Sequence, residues 1–255
     1  MCLALVALDA HPKYRCVIAA NRDEFHARAS EPAHWWEDGI LAGRDMVAGG
    51  TWFGATRTGR WALVTNFREG IPRDPNAPSR GELVTRMLRE SASPLRSGAA
   101  LLPEAGRYHG FNLLVGDRTD AAFASNRASG ALALDAGVHG LSNHLLDTPW
   151  PKLLRTKGRL AEWLANADPP IEDAFALLAD REPASDDALP VTGVSRQRES
   201  LLSSPFIVSP DYGTRSSTLL LIARDGSARL IERSFDAGAH LTGEVAFDFR
   251  PDAPV

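Results

Sequence analysis

The chain has 255 residues, of which 44% are hydrophobic and 24% charged, the balance of a globular protein long enough to bury a substantial core. A formal charge of −4 gives no electrostatic footprint for nucleic acid or an anionic membrane. Two cysteines exclude a disulfide framework, no apolar run is long enough to span a bilayer, and the first residues lack the pattern of a secretory signal. A cytoplasmic protein is expected, and no protein partner is indicated.

The chain opens with Leu3-Ala4-Leu5-Val6-Ala7-Leu8, an apolar run short enough for a buried strand. Asp9-Ala10-His11-Pro12 supplies turn chemistry. A second run, Cys16-Val17-Ile18-Ala19-Ala20, leads into Asn21-Arg22-Asp23-Glu24, so the two runs read as an antiparallel hairpin. Opposed residues in a hairpin have a constant index sum. A turn centred between positions 10 and 13 therefore sets Cys2 opposite a residue between Ala19 and Asp23. The same arithmetic keeps Cys2 away from Cys16.

Residues 26–50 read as irregular, and a second hairpin is expected over 51–55 and 61–66 around Thr58-Gly59. Ser79 lies three residues before Glu82, a capping box opening a helix, and a second helix is expected over 94–105. Strands follow over 111–115, 121–125 and 131–134. The small polar stretch His139-Gly140-Leu141-Ser142-Asn143 comes next, then helices over 149–166 and 171–178. Residues 181–205 read as a long loop with one helical turn. Strands over 219–223 and 228–232 flank Asp225-Gly226, a hairpin signal, and 245–249 is a last strand. Helices grouped between runs of antiparallel strands give an α+β fold in one domain over 1–255.

The chain has no Walker A, G-x-G-x-x-G, G-x-S-x-G or H-E-x-x-H motif, and its histidines lack metal-ligand spacing. Cys2 carries the most chemistry. Methionine removal before a small residue would leave it at the N-terminus, where its α-amino group, with a pKa of about 7.7–8.0, can take the thiol proton. Arg22 beside it would lower the thiol pKa, and Asp23 would hold the ammonium. The plainer alternatives are a buried core thiol and a salt-bridged turn.

Met1-Cys2, Ala20-Asn21-Arg22-Asp23-Glu24-Phe25, Gly49-Gly50-Thr51-Trp52, Gly81-Glu82-Leu83-Val84, Gly110-Phe111-Asn112-Leu113, Gly140-Leu141-Ser142-Asn143 and Tyr212-Gly213-Thr214-Arg215 together resemble the NRDE family. That family includes the transport and Golgi organisation protein 2 homologues, and the motifs run in order from Met1 to about Ser234. It is similar in turn to the N-terminal-nucleophile hydrolases, which implies a four-layer αββα sandwich. Penicillin V acylases and bile salt hydrolases look nearest within that group. The resemblance implies Cys2 as nucleophile with Arg22 and Asp23 flanking it. Those acylases space the pair two residues further apart, which leaves Asn21 and Glu24 as alternatives for one role. Asn143 resembles the side-chain oxyanion donor and Arg215 the second active-site arginine. Asn21, Trp52 and Tyr212, within these motifs, and Asn66, placed after its strand where it could line a cleft, are the expected substrate contacts. For Asn66 a turn role stays open, and for Trp52 a core role.

Two functions remain in view. One is a cysteine hydrolase of an amide or thioester bond in a small acyl substrate, with no cofactor or metal. The other, implied by the resemblance alone, is a non-enzymatic protein handling haem or a lipid or acyl-CoA, with haem as a ligand. Loss of turnover in Cys2→Ala, or its indifference, separates them.

Overall fold

The computed structural model describes residues 2–71 and 74–250. The first apolar run forms β1 (Cys2–Leu8), which turns back into β2 (Tyr14–Phe25). Their antiparallel register sets Cys2 opposite Arg22 and Leu8 opposite Cys16, inside the range given by the index sum. Both thiols are free and buried. β2 does not end at Asn21. It runs through Asn21-Arg22-Asp23-Glu24 to Phe25, because its far edge pairs with β11 (Tyr212–Ala223), Thr214 opposite Asp23 and Tyr212 opposite Phe25. The polar segment is therefore ladder-bonded on a central strand.

Two antiparallel sheets result. In one, β10 (Gly137–Leu141), β1, β2, β11, β12 (Ala228–Phe235) and β13 (Leu241–Phe249) lie in that order. In the other the order is that of the chain: β3 (Ser30–Trp35), β4 (Ile40–Asp45), β5 (Phe53–Thr56), β6 (Trp61–Asn66), β7 (Phe111–Gly116), β8 (Ala121–Ser125) and β9 (Leu132–Ala133). Their facing sides share one core, with Ala4, Val6, Ile18 and Leu220 meeting Leu41, Trp61, Leu63 and Leu114. The outer side of the first sheet, Leu3, Leu5, Val17 and Ala19, is covered by α3 (Pro151–Leu164) and α4 (Ile171–Leu178). The outer side of the second is covered by α1 (Gly81–Arg89) and α2 (Pro94–Leu101). The architecture is a four-layer αββα sandwich. β1 is apolar at every position for this reason: even-numbered residues pack between the sheets and odd-numbered ones beneath helices.

Several elements depart from expectation. The stretch 26–50 holds β3 and β4, and His139-Gly140-Leu141 of the small polar stretch ends β10, which pairs with β1. β11 begins at Tyr212 rather than at Leu219. The loop 181–205 holds its expected helical turn as α5 (Arg196–Leu201), whose cap is Ser195 accepting from the Arg198 N–H at 3.3 Å. At α1 the reciprocal capping box is replaced by Ser79, whose hydroxyl accepts from Gly81 N–H at 3.3 Å and whose carbonyl accepts from Glu82 N–H at 3.1 Å.

Two glycine motifs meet here. A Cβ on Gly50 would lie 2.7 Å from the Gly81 carbonyl carbon, and one on Gly81 would lie 3.0 Å from the Thr51 oxygen. Backbone approach at this distance requires glycine, and it brings Thr51 and Trp52 against the start of α1. No helix among the described residues is long and apolar enough to cross a membrane.

Candidate active site

The ends of β1 and β2 open onto a cavity of about 460 Å³. Cys2, Arg22, Asp23, Trp52 and Asn66 all line it, so five of the nine sequence-predicted residues are brought to one place. Cys2 is 7% exposed. Burial dominates the thiol and raises its pKa, the Asp23 charge adds to this, and Arg22 opposes it without prevailing. Arg22 acts in the expected direction, and desolvation outweighs it.

Arg22 is held loosely. Its guanidinium lies 3.5 Å from Asp45 and 3.5 Å from the Ser30 hydroxyl. Asp45 is mainly committed elsewhere, since it accepts from Arg28 Nε at 2.6 Å and from the backbone N–H groups of Val47 and Ala48 at 3.0 Å. Burial alone would raise the Asp45 pKa, but these donors bring it below its ordinary value. Arg22 therefore keeps charge to offer an anion at Cys2.

Asp23 is 2% exposed, and burial pushes its pKa up to about 6. Its Oδ1 accepts from the Thr214 hydroxyl at 2.7 Å, and its main-chain carbonyl accepts from the Tyr212 phenol at 2.9 Å. Tyr212 is thereby a buried support for Asp23 outside the cavity lining, which corrects its expected role as a substrate contact.

Asn21 also lies outside the lining. It sits opposite Leu3, on the helix-covered side of the sheet. Its amide donates to the carbonyls of Leu178 (2.8 Å) and Pro205 (3.0 Å), and its oxygen accepts from Ser217 at 2.6 Å. With both its functional atoms engaged on that side, Asn21 ties β2 to the layer above it.

Asn143 is fully buried with φ 60° and does not line the cavity. Its Nδ2 donates to the carbonyl of Asn66 at 3.0 Å, while its own carbonyl accepts from Arg68 N–H at 2.6 Å. Asn66, not Asn143, is the amide at the cavity wall.

Arg215 occupies a β-bulge between Thr214 and Ser216, unpaired with β2. A bulge re-aims its side chain, and Arg215 donates to the carbonyls of Phe25 (3.2 Å), His26 (3.0 Å) and Arg28 (3.3 Å). It lines a neighbouring cavity of about 200 Å³, separated from the Cys2 cavity by Arg22, Asp45, Thr51 and Trp52, which wall both.

The polar lining also includes Glu24, Arg28, Asp45, Arg80 and His109. Only Glu24 among them stands out in the sequence. Asp45 shares a turn with Gly49-Gly50 (Gly49 N–H to Asp45 O, 2.7 Å; Asp45 N–H to Gly50 O, 2.9 Å), so the glycine pair was the available signal for it.

The Transport and Golgi organisation 2 profile matches residues 1–237. The chain belongs to that family. It is 34% identical to the Transport and Golgi organization protein 2 homolog of Homo sapiens over 92% of this chain and 93% of that one. Against the Drosophila melanogaster Transport and Golgi organization protein 2 the identity is 26%, over 92% of each. Among solved structures, a variant of the conjugated bile acid hydrolase from Clostridium perfringens superposes with a TM-score of 0.52 at 8% identity, covering 97% of this chain and 92% of that one. Penicillin V acylase from Agrobacterium tumefaciens gives 0.50 at 13% identity, covering 91% and 82%. At such identities the likeness concerns the fold, and this family member has the N-terminal-nucleophile hydrolase fold.

Proposed function

We propose that the protein is an N-terminal cysteine hydrolase acting on an amide or thioester bond of a small acyl substrate, with Cys2 as nucleophile after removal of Met1. The observation that carries this is the placement of Cys2 directly opposite Arg22, in the lining of a cavity that Asp23 also lines.

The freed α-amine takes the Cys2 proton as sulfur attacks the acyl carbon, so the thiol need not be ionised at rest. The forming oxyanion takes a hydrogen bond from the Asn66 amide, and Arg22 compensates the negative charge gathering in the site. The ammonium returns its proton to the departing amine or thiolate. Water then cleaves the acyl–sulfur bond with the same amine as base, releasing the acid and restoring the thiol. Asp23 holds the ammonium. Trp52 and Val64, which share the lining, suit an apolar acyl portion.

Haem handling has less behind it. A panel of N-acyl amides and acyl thioesters assayed with wild type and Cys2→Ala tests the hydrolase reading. Turnover confined to wild type supports it, and equal turnover in both removes Cys2 from the chemistry.

A further inference from the structure

Asn66, Arg80 and His109 line both the Cys2 cavity and a further one of about 240 Å³. The rest of this second lining comes mainly from two segments distant in the chain, residues 67–71 after β6 and residues 194–198 leading into α5. They meet at backbone contact. The Gly70 N–H donates to the Thr192 carbonyl at 3.1 Å, and a Cβ on Gly70 would fall 2.2 Å from the Gly193 oxygen. A buried ion pair ties the same two segments together: Arg68 donates to Glu199 at 2.6 Å, with side chains 3% and 2% exposed. Glu199 also accepts from the Thr192 N–H at 3.0 Å and from its hydroxyl at 2.5 Å. Buried ion pairs are weak sources of stability, and this one has a placing effect: it anchors the turn of α5 that carries Arg198 to the cavity.

The charges around this cavity do not balance. Its lining carries Arg68, Arg80 and Arg198 against one carboxylate, Glu69. Glu69 is claimed by Arg127, which donates to both its oxygens at 2.7 and 2.9 Å, as Arg68 is by Glu199. Arg80 donates to the Gly110 carbonyl at 3.1 Å on the wall shared with the Cys2 cavity. Arg198 is exposed, and among the described residues its guanidinium has neither a hydrogen-bond acceptor nor a carboxylate. A guanidinium with open donors at a cavity matches the paired oxygens of a carboxylate or phosphate.

We infer that this second cavity is the leaving-group subsite and that Arg198, with Arg80 beside it, takes an oxyanion at the end of that group. The inference rests on the reading of Cys2 as nucleophile and deepens it by naming the substrate class: acyl compounds whose leaving group ends in a carboxylate or phosphate. The direction follows from the shared wall. Trp52 and Val64 line only the Cys2 cavity, whereas Asn66 lines both. An acyl carbonyl bonded to Asn66, with its chain toward Trp52 and Val64, sends its other substituent past Arg80 and His109. Phe67, Ile71 and Val194 line the way to Arg198 and suit a short apolar spacer before the charge.

The test uses full-length protein and three thioesters of one acyl chain, whose leaving thiols end in a hydroxyl, a carboxylate or a phosphate. In wild type, kcat/KM for at least one anionic thioester exceeds that for the neutral one by about tenfold or more, the scale of one charge-assisted hydrogen bond. The preferred end identifies which oxyanion the subsite takes. Arg198→Gln removes most of this preference through KM. Arg196→Gln deletes the same charge from an exposed neighbour outside the lining, and the preference stays within about twofold of wild type, as for an exposed charge. A second arm needs no turnover: the free carboxylate and phosphate thiols are titrated calorimetrically into Cys2→Ala, where at least one binds, and into Cys2→Ala with Arg198→Gln, where that binding weakens. No preference for either anionic end, a preference unmoved in folded Arg198→Gln or equally lost in Arg196→Gln, or no binding of either thiol each overturns the subsite. Thioester turnover equal in wild type and Cys2→Ala would instead overturn the nucleophile reading.

Discussion

The side-chain amide of Asn143 donates to the main-chain carbonyl of Asn66 across 3.0 Å, so the residue from the Gly140-Leu141-Ser142-Asn143 motif steadies the one at the cavity wall. Asn66→Ala is expected to lower kcat by about 10²–10³ with KM little changed, the range for a lost oxyanion donor. Asn143→Gly keeps the positive φ of 60° and removes only the support, so its loss should be smaller. Steady-state kinetics on the two variants settles the assignment. A folded Asn143→Gly as impaired as Asn66→Ala, with Asn66→Ala near wild type in kcat, would return the role to Asn143.

Arg22 sits 3.5 Å from each polar neighbour it contacts, so its charge is available to the sulfur. Replacing it with Met raises the already elevated thiol pKa further. A higher thiol pKa leaves less thiolate, and iodoacetamide alkylation of Cys2 at pH 7.5 should slow. Cys16 is the internal control: burial pushes its thiol up to about 12, and it stays unlabelled in the native protein. Unchanged labelling of Cys2 in Arg22→Met would show that the guanidinium does not act on the sulfur.

Asp23 gives a pH-dependent stability with a defined sign. Its folded pKa, about 6, lies above the ordinary carboxylate value of 3.8, so the fold favours its protonated form. The stability this contributes is complete below about pH 4 and is lost as pH rises through about 6. Asp23→Asn keeps an acceptor for Thr214 without the charge. Relative to wild type it should gain up to about 3 kcal/mol at pH 7.5, from about 1.4 kcal/mol for each pH unit between the two pKa values, with the gap closing near pH 4. Urea midpoints at the two pH values measure this. A variant less stable than wild type at pH 7.5 would mean that the carboxylate's partners outweigh its burial.

Gly50→Ala tests the seam between the two glycine motifs. Its Cβ would meet backbone at 2.7 Å, which no rotamer change relieves, so a loss of about 1–3 kcal/mol is expected. The same displacement moves Trp52 and the start of α1, both on the cavity wall. Activity should therefore fall further than the loss of folded protein explains. A urea midpoint equal to wild type would show that the seam opens without cost.

Residues 2–8 and 16–20 were legible because apolar continuity and a turn fix a hairpin, and the index sum alone set Cys2 near Arg22. The extension of β2 through Asn21-Arg22-Asp23-Glu24 was not, because it depends on Tyr212–Ala223, almost two hundred residues away, pairing along its other edge. β3 and β4 were missed for a related reason: β3 carries polar and exposed positions, and β4 is only six residues long, so neither shows a clean period of two. At the site, residue types at β1 and β2 pointed to chemistry directly. The division of labour between Asn66 and Asn143, and between the cavities of Cys2 and Arg215, depends on a left-handed residue and a β-bulge.

The central claim is that Cys2, freed of Met1, carries the acyl group. Intact mass spectrometry of protein quenched in acid during turnover of an acyl thioester measures both halves at once. The expected species is a chain lighter by one methionine and heavier by one acyl group, with the adduct mapped to Cys2, released by hydroxylamine and absent from Cys2→Ala. A protein that turns the substrate over while Met1 is retained, or that forms no adduct on Cys2, would contradict the account.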